Sequence, residues 1–248
     1  MRTIRGILIW LYWAVCIISF FIVVALLYLI TFPFDKFHRI PNKVLAGLAG
    51  MMLRFNPAWH FEIKGAHPNK VSQPTIVVAN HQSFLDLPLL YLLPWSMKWV
   101  AKKDLFKIPI FGWIIYMTGQ IAIDRQSMRS AQKIDELVKP VKNGIPAMIF
   151  PEGTRTSDGQ IHSFKNGAFK LAKRYNFNIL PVVLDGGHQA MPRGEWRPAC
   201  KQNFQITVME PLPPKEYASE QELKEAAFTL MTNELSSIRS QRKNIQKE

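Results

Sequence analysis

The chain has 248 residues, 48% hydrophobic and 12% aromatic, with 31 Lys and Arg against 18 Asp and Glu for a formal charge of +13. This length can bury one substantial core, and the apolar content excludes a disordered basic tail. The charge favours anionic partners: nucleic acid, an acidic bilayer surface or phosphorylated small molecules.

The N-terminus decides among these partners. No charged side chain falls between Arg5 and Asp35. As a helix, residues 6–34 rise about 40 Å, more than the ~30 Å hydrocarbon core of a bilayer. The run is too long for a typical signal-peptide core and lacks a small-residue cleavage site at its end. Trp10, Tyr12 and Trp13 near one end and Tyr28 near the other suit the interfacial zones. The segment therefore reads as a membrane anchor, which points away from nucleic acid. Arg2 and Arg5 on one flank, and Lys36, Arg39 and Lys43 on the other, leave orientation and spanning open. A second helix, about 41–55, spaces Val44, Leu45, Leu48, Met51, Met52 and Phe55 by threes and fours. With Arg39, Lys43 and Arg54 beside that stripe, it suits the membrane interface or packing on the globular core. Residues 1–57 are thus assigned to the anchor and 58–248 to a globular domain.

Within the domain, strand patterns fall at 61–64, 75–79, 98–101, 120–123, 146–150, 179–184 and 204–209. Helical patterns lie between them at 87–93, around 110–117, at 127–142 and at 166–175. A last amphipathic helix, about 219–240, runs into a basic tail with Arg239, Arg242, Lys243 and Lys247 that is expected to fray. Alternating strands and helices predict an α/β fold, a sheet of about seven strands covered by helices and preceded by the N-terminal anchoring segment. Cys16 and Cys200 have no metal-ligand spacing, and no disulfide or metal site is expected.

Two loops carry candidate chemistry. After 75–79 comes Asn80-His81-Gln82-Ser83-Phe84-Leu85-Asp86, with His81 and Asp86 in H-x-x-x-x-D spacing. A histidine just beyond a buried strand, with a carboxylate to orient its ring, can serve as a general base. The same residues fit a solvated histidine followed by Asp86 capping the next helix, with Pro88 in its first turn. After 146–150 comes Phe150-Pro151-Glu152-Gly153-Thr154-Arg155. Here Gly153 permits close backbone approach and Arg155 offers a forked cation for phosphate. An ordinary turn with a surface arginine is the competing reading.

In order, these blocks with Lys102-Lys103-Asp104-Leu105-Phe106, Gly119-x-Ile121-x-Ile123-Asp124-Arg125, Phe164-Lys165-x-Gly167 and Leu180-Pro181-Val182-Val183 resemble the glycerolipid acyltransferase family. The similarity runs from about Thr75 to Val183 and is strongest to the bacterial branch that acylates lysophosphatidic acid. Asp104 stands where many relatives have glutamate, at a supporting position. The resemblance implies transfer of an acyl chain from acyl-CoA or acyl carrier protein to the sn-2 hydroxyl of lysophosphatidic acid, with the thioester as co-substrate and no cofactor. His81 would be the base and Asp86 would hold its tautomer. Arg155 would clasp the acceptor phosphate, Gly153 and Thr154 would shape the loop, and Glu152 would contact the glycerol or brace that loop. Lys102, Lys103, Arg125 and Lys165 are further phosphate candidates. The absence of a Gly-x-Ser-x-Gly elbow favours direct transfer over an acyl-enzyme. A thioester donor implies a bacterial inner membrane location with the site facing the cytoplasm. Another lyso-lipid acceptor, or a non-catalytic tether to anionic membranes, are the alternatives.

Overall fold

The computed structural model describes residues 2–65, 71, 73–124 and 133–245. All seven strand patterns form strands: β1 (Trp59–Lys64), β2 (Thr75–Ala79), β3 (Lys98–Lys102), β4 (Ile121–Ile123), β5 (Ala147–Ile149), β6 (Asn178–Asp185) and β7 (Gln202–Val208). They make one sheet, ordered β1-β7-β6-β2-β5-β3-β4. Every ladder is parallel except the antiparallel β6–β7 pair. β2 is buried at every position because it lies mid-sheet with helices over both faces.

The pleat sorts its side chains. Val77, beside Leu180 and Met148, points into one core; Ile76, beside Ile179 and Ala147, points into the other. The first core is covered by α1 (Arg2–Thr31), α2 (Arg39–Arg54), α3 (Asp86–Leu90) and α4 (Phe111–Met117). The second is covered by α5 (Val138–Lys142), α6 (Gly167–Tyr175) and α8 (Glu220–Ile245). A single turn, α7 (Gly187–Ala190), follows β6. The helical pattern at 127–142 is broken into a 3₁₀ turn (Asp135–Leu137) and α5; its start lies outside the described residues.

α1 lies along the domain rather than projecting from it. Arg5 Nη2 donates to Ala199 O at 3.0 Å, Trp10 Nε1 to Trp196 O at 2.7 Å and Trp13 Nε1 to Met52 O at 3.2 Å. Further on, Phe21 packs on Trp113 and Tyr28 on His38. Ile9, Trp13 and Cys16 enter the first core, while Ile7, Leu8, Leu11, Val15, Ile22 and Leu26 form a bare apolar face. α2 buries Leu45, Leu48, Met52 and Leu53 against the domain, so its stripe packs on the core; Lys43 and Arg54 stay exposed. Between α1, α2, α3 and α4 lies an apolar cavity of about 90 Å³ whose lining includes Ile17, Met52, Phe84, Leu87 and Ile114.

A buried polar chain fixes α2 to the sheet. Asn42 Nδ2 donates to Met97 O, Gln120 Nε2 donates to Asn42 Oδ1, and Trp99 N donates to Gln120 Oε1. Beside it, Lys98 is fully buried and donates to Thr118 O. Burial pulls its ammonium down to about 7. The C-terminal helix does not fray at its arginines: Arg239 Nε donates to Asp185 Oδ1 at 3.0 Å, and Arg242 Nη1 stands 2.6 Å from Asp185 Oδ2 in ion-pair contact. Asp185 is fully buried, so two guanidinium groups offset a charge that would be costly alone. Lys247 lies outside the described residues.

Candidate active site

Asn80 ends β2 with a side chain that imitates a strand. Its Nδ2 donates to Leu184 O at 2.9 Å and its Oδ1 accepts from Leu184 N at 2.8 Å. The amide thereby continues pairing with β6 for one more residue and releases the chain with His81 at the carboxyl end of the sheet. His81 Nδ1 lies 2.8 Å from Asp86 Oδ2. The same oxygen accepts from the amides of Gln82 at 2.5 Å and Ser83 at 2.7 Å.

Asp86 therefore does not cap α3. Leu85 is the capping position and makes no side-chain cap; the carboxylate turns back toward the preceding loop instead. With Nδ1 facing a carboxylate, the proton belongs on Nδ1 and Nε2 is the basic lone pair. Nε2 bonds none of the described residues. The His81 side chain is 18% exposed and that of Asp86 0%. The Phe150 ring lies flat on the imidazole, centroids 4.0 Å apart and planes 12° apart, which fixes the remaining rotation.

The second loop is stitched to the first. His81 N donates to Glu152 Oε1 at 2.8 Å, and Thr156 N donates to His81 O at 2.8 Å. Glu152 Oε2 accepts from His162 N at 3.0 Å. Both oxygens of this buried carboxylate are thus engaged with backbone, so Glu152 braces two loops. Burial pushes its carboxyl above the ordinary value, against the lowering effect of the two amide donors. Gly153 turns at φ 73°, and a Cβ there would stand 3.0–3.1 Å from the Lys165 Cε and Nζ. Lys165 N also donates to Pro151 O at 2.9 Å.

The structure thus gathers His81, Asp86, Glu152, Gly153, Thr154, Arg155 and Lys165 at one end of the sheet. Arg155, half-buried, makes no hydrogen bond or ion pair with any described residue, and Thr154 is exposed beside it. Lys102 ends β3 and Lys103 opens the 3₁₀ turn that follows it (Lys103–Lys107). Lys102 is paired at 2.6 Å with Asp104, which Lys107 also approaches, while Lys103 is exposed and unpaired among the described residues. Arg125 lies outside the described residues. A small cavity of about 130 Å³, lined by Val100, Ile149, Phe150, Gly153 and Lys165 among others, opens between β3 and this loop.

Sequence reasoning passed over several neighbours. His162 Nε2 pairs with Asp158 Oδ1 at 3.0 Å, an i,i+4 spacing that was readable. The Thr156 hydroxyl above all holds the Asp158 carboxyl below its usual range. Gly187 has no such signal: a Cβ there would stand 2.7 Å from Asp86 Oδ1, a contact set by tertiary packing. Among the described residues, no group of three or more His, Cys, Asp or Glu is arranged to hold a metal ion.

A family model described as Acyltransferase matches residues 60–185, about half the chain and both loops. The chain belongs to the acyltransferase family. It is 33% identical over 192 residues to a 1-acyl-sn-glycerol-3-phosphate acyltransferase of Chlamydomonas reinhardtii, covering 75% of this chain and 57% of that protein. To the human 1-acyl-sn-glycerol-3-phosphate acyltransferase alpha it is 34% identical over 178 residues, covering 71% and 62%. The chain thus spans just over half the length of these curated relatives. The crystal structure of PlsC, the 1-acyl-sn-glycerophosphate (LPA) acyltransferase of Thermotoga maritima, superposes with a TM-score of 0.79 at 25% identity, covering 96% of this chain and 98% of that one. The α/β sheet and its helical layers are therefore those of this acyltransferase fold, N-terminal helices included.

Proposed function

We propose that this acyltransferase-family chain acylates the sn-2 hydroxyl of lysophosphatidic acid from an acyl thioester, carried by coenzyme A or acyl carrier protein, to give phosphatidic acid. The observation that carries the reading is the pairing of a half-buried His81 and buried Asp86 with an uncommitted Arg155 one residue from Thr156, which is itself bonded to His81. The names borne by the relatives support the same acceptor. His81 Nε2 takes the proton of the acceptor hydroxyl as its oxygen attacks the thioester carbonyl. Asp86, through Nδ1–H, holds the tautomer and offsets the charge that forms on the ring. Collapse of the tetrahedral intermediate breaks the C–S bond, and the imidazolium returns its proton to the departing thiolate. Arg155 binds the acceptor phosphomonoester through its fork, with Lys165 and Lys103 as secondary cations. Gly153 keeps the loop low enough for that approach, and Thr154 lines it.

The bare apolar face of α1 supports a site that works at a bilayer. Because α1 touches the domain from Arg5, bonded to Ala199, to Phe21, packed on Trp113, it lies in one leaflet with its apolar face in the acyl region. A single-chain phospholipid there meets Arg155 at headgroup level, and a thioester donor, which is made in the cytoplasm, favours a site on the cytoplasmic side of a bacterial inner membrane. The test is a panel of lyso-lipid acceptors in vesicles, with and without Arg155→Ala. A preference for lysophosphatidic acid, lost in Arg155→Ala mainly through acceptor KM, is expected. Equal or better use of a phosphate-free acceptor refutes the assignment.

A further inference from the structure

The His81–Asp86 pair sits inside a closed ring of contacts, most of which lie outside the two motifs. From His81 the chain passes to Gln82, whose Nε2 donates to Gly159 O at 3.1 Å. Gly159 O also accepts from Arg239 Nη2 at 2.7 Å. The Nε of Arg239 donates to Asp185 Oδ1 at 3.0 Å. Two residues after Asp185, Gly187 backs onto Asp86 with no room for a side chain between them: a Cβ there would stand 2.7 Å from Oδ1 and 3.1 Å from the Ser83 Cβ. Asp86 returns to His81 through Oδ2. Three loops meet in this ring, and a single side chain from α8, beyond the residues matched by the family model, fastens two of them.

The two oxygens of Asp86 are held differently: Oδ2 by His81 Nδ1 and the amides of Gln82 and Ser83, Oδ1 by none of these. Asp86 Oδ1 is buried and has no hydrogen-bond partner among the described residues, and on that side it faces Gly187, where there is no room for a side chain. The Asp185–Gly187 turn is pinned by Asp185 to Arg239 and Arg242, and by the tight approach of Gly186, whose Cβ would stand 2.5 Å from Asn203 O. Gln82, whose amide donates to Asp86 Oδ2, is held through the same Gly159 carbonyl that Arg239 bonds. Releasing Arg239 loosens the supports on both sides of Asp86 at once, while the amides of Gln82 and Ser83 still bond its Oδ2 and Arg242 still pairs with Asp185.

We propose that Arg239 is a positioning residue for acyl transfer, acting from the C-terminal helix through Gly159 and Asp185 to hold Asp86 against His81. The inference rests on the His81–Asp86 reading above. Arg239 touches no reacting group, so its loss spoils alignment and leaves substrate binding intact. The full-length protein in lipid nanodiscs, labelled with ¹⁵N-histidine, gives two readouts: steady-state kinetics, and the downfield Nδ1–H resonance of the His81–Asp86 bond. For Arg239→Gln, kcat should fall about ten- to a hundredfold with KM for both substrates within about threefold, and the resonance should broaden or move. Arg239→Lys, which keeps the charge without the fork, should recover part of each. Ile238→Val, one position away in the α8 core, controls for stability: it lowers the melting temperature and leaves the resonance and the kcat of folded enzyme unchanged.

An unaltered resonance and kcat in Arg239→Gln overturn the proposal. So does a loss of kcat that Ile238→Val reproduces at equal melting temperature. Active His81→Ala would instead refute the His81–Asp86 reading itself, while the resonance would still report whether Arg239 holds the pair.

Discussion

Glu152 offers the sharpest separation of bracing from substrate contact. Its carboxylate accepts from His81 N at 2.8 Å and His162 N at 3.0 Å, one amide on each oxygen. In Glu152→Gln only one oxygen remains, so one of the two amides must face an NH₂ group. A hydrogen bond to a charged acceptor contributes about 1.5–3 kcal/mol, and the orphaned amide is enclosed, so a loss of about 2–3 kcal/mol is expected. For a chain of this size that lowers the melting temperature by about 5–10 °C. Because His81 is one of the two residues held, kcat should fall about ten- to a hundredfold, with acceptor KM changed less than about threefold. Differential scanning fluorimetry in detergent and acyl-transfer kinetics with varied acceptor measure both. A tenfold rise in acceptor KM at unchanged kcat and melting temperature would refute the brace and place Glu152 on the glycerol.

Three further outcomes follow from the same structure. Asn80→Ala strips partners from the buried N–H and C=O of Leu184, which should cost about 2–4 kcal/mol in urea unfolding; a change below about 0.5 kcal/mol contradicts its role as a strand extension. Lys98 titrates near 7 in the folded protein and near 10.4 in the unfolded chain, so the unfolded state binds the extra proton between those values. Unfolding free energy should therefore climb with pH above about 7, by up to about 1.4 kcal/mol per unit, and lose that contribution as pH falls through 7; Lys98→Met should flatten the climb, and an unchanged slope argues against it. Replacing Leu8, Leu11 and Ile22 on the bare face of α1 with Gln should abolish flotation with anionic vesicles while the melting temperature holds; retained flotation means that another surface binds the bilayer.

Much of the sheet was legible because central parallel strands are unbroken apolar runs, as in Thr75–Ala79. Boundaries shifted by a residue or two where a ladder partner extends beyond the apolar run, as at Trp59 opposite Gln202. The His81–Asp86 pair was legible as spacing, but its geometry was not. Asp86 with Pro88 two residues on looks like a helix cap, and only the backward turn of the loop sends its oxygen to the amides of Gln82 and Ser83. The arginines of α8 look like a solvated tail because their partner, Asp185, lies 54 residues away from Arg239. Their docking depends on the rotation of α8 about its axis, which the sequence pattern leaves free. Likewise the run at 6–34 declares an apolar helix, but not that one side of it belongs to the core of the domain.

The reaction proposed for this chain, acyl transfer to lysophosphatidic acid, turns on His81 as its base. Its most direct test is the kcat for phosphatidic acid formation by purified His81→Ala in lipid nanodiscs, with folding checked by melting temperature. Loss of a general base predicts a fall of at least about a hundredfold, with acceptor KM little changed. Wild-type turnover in folded His81→Ala would contradict the account.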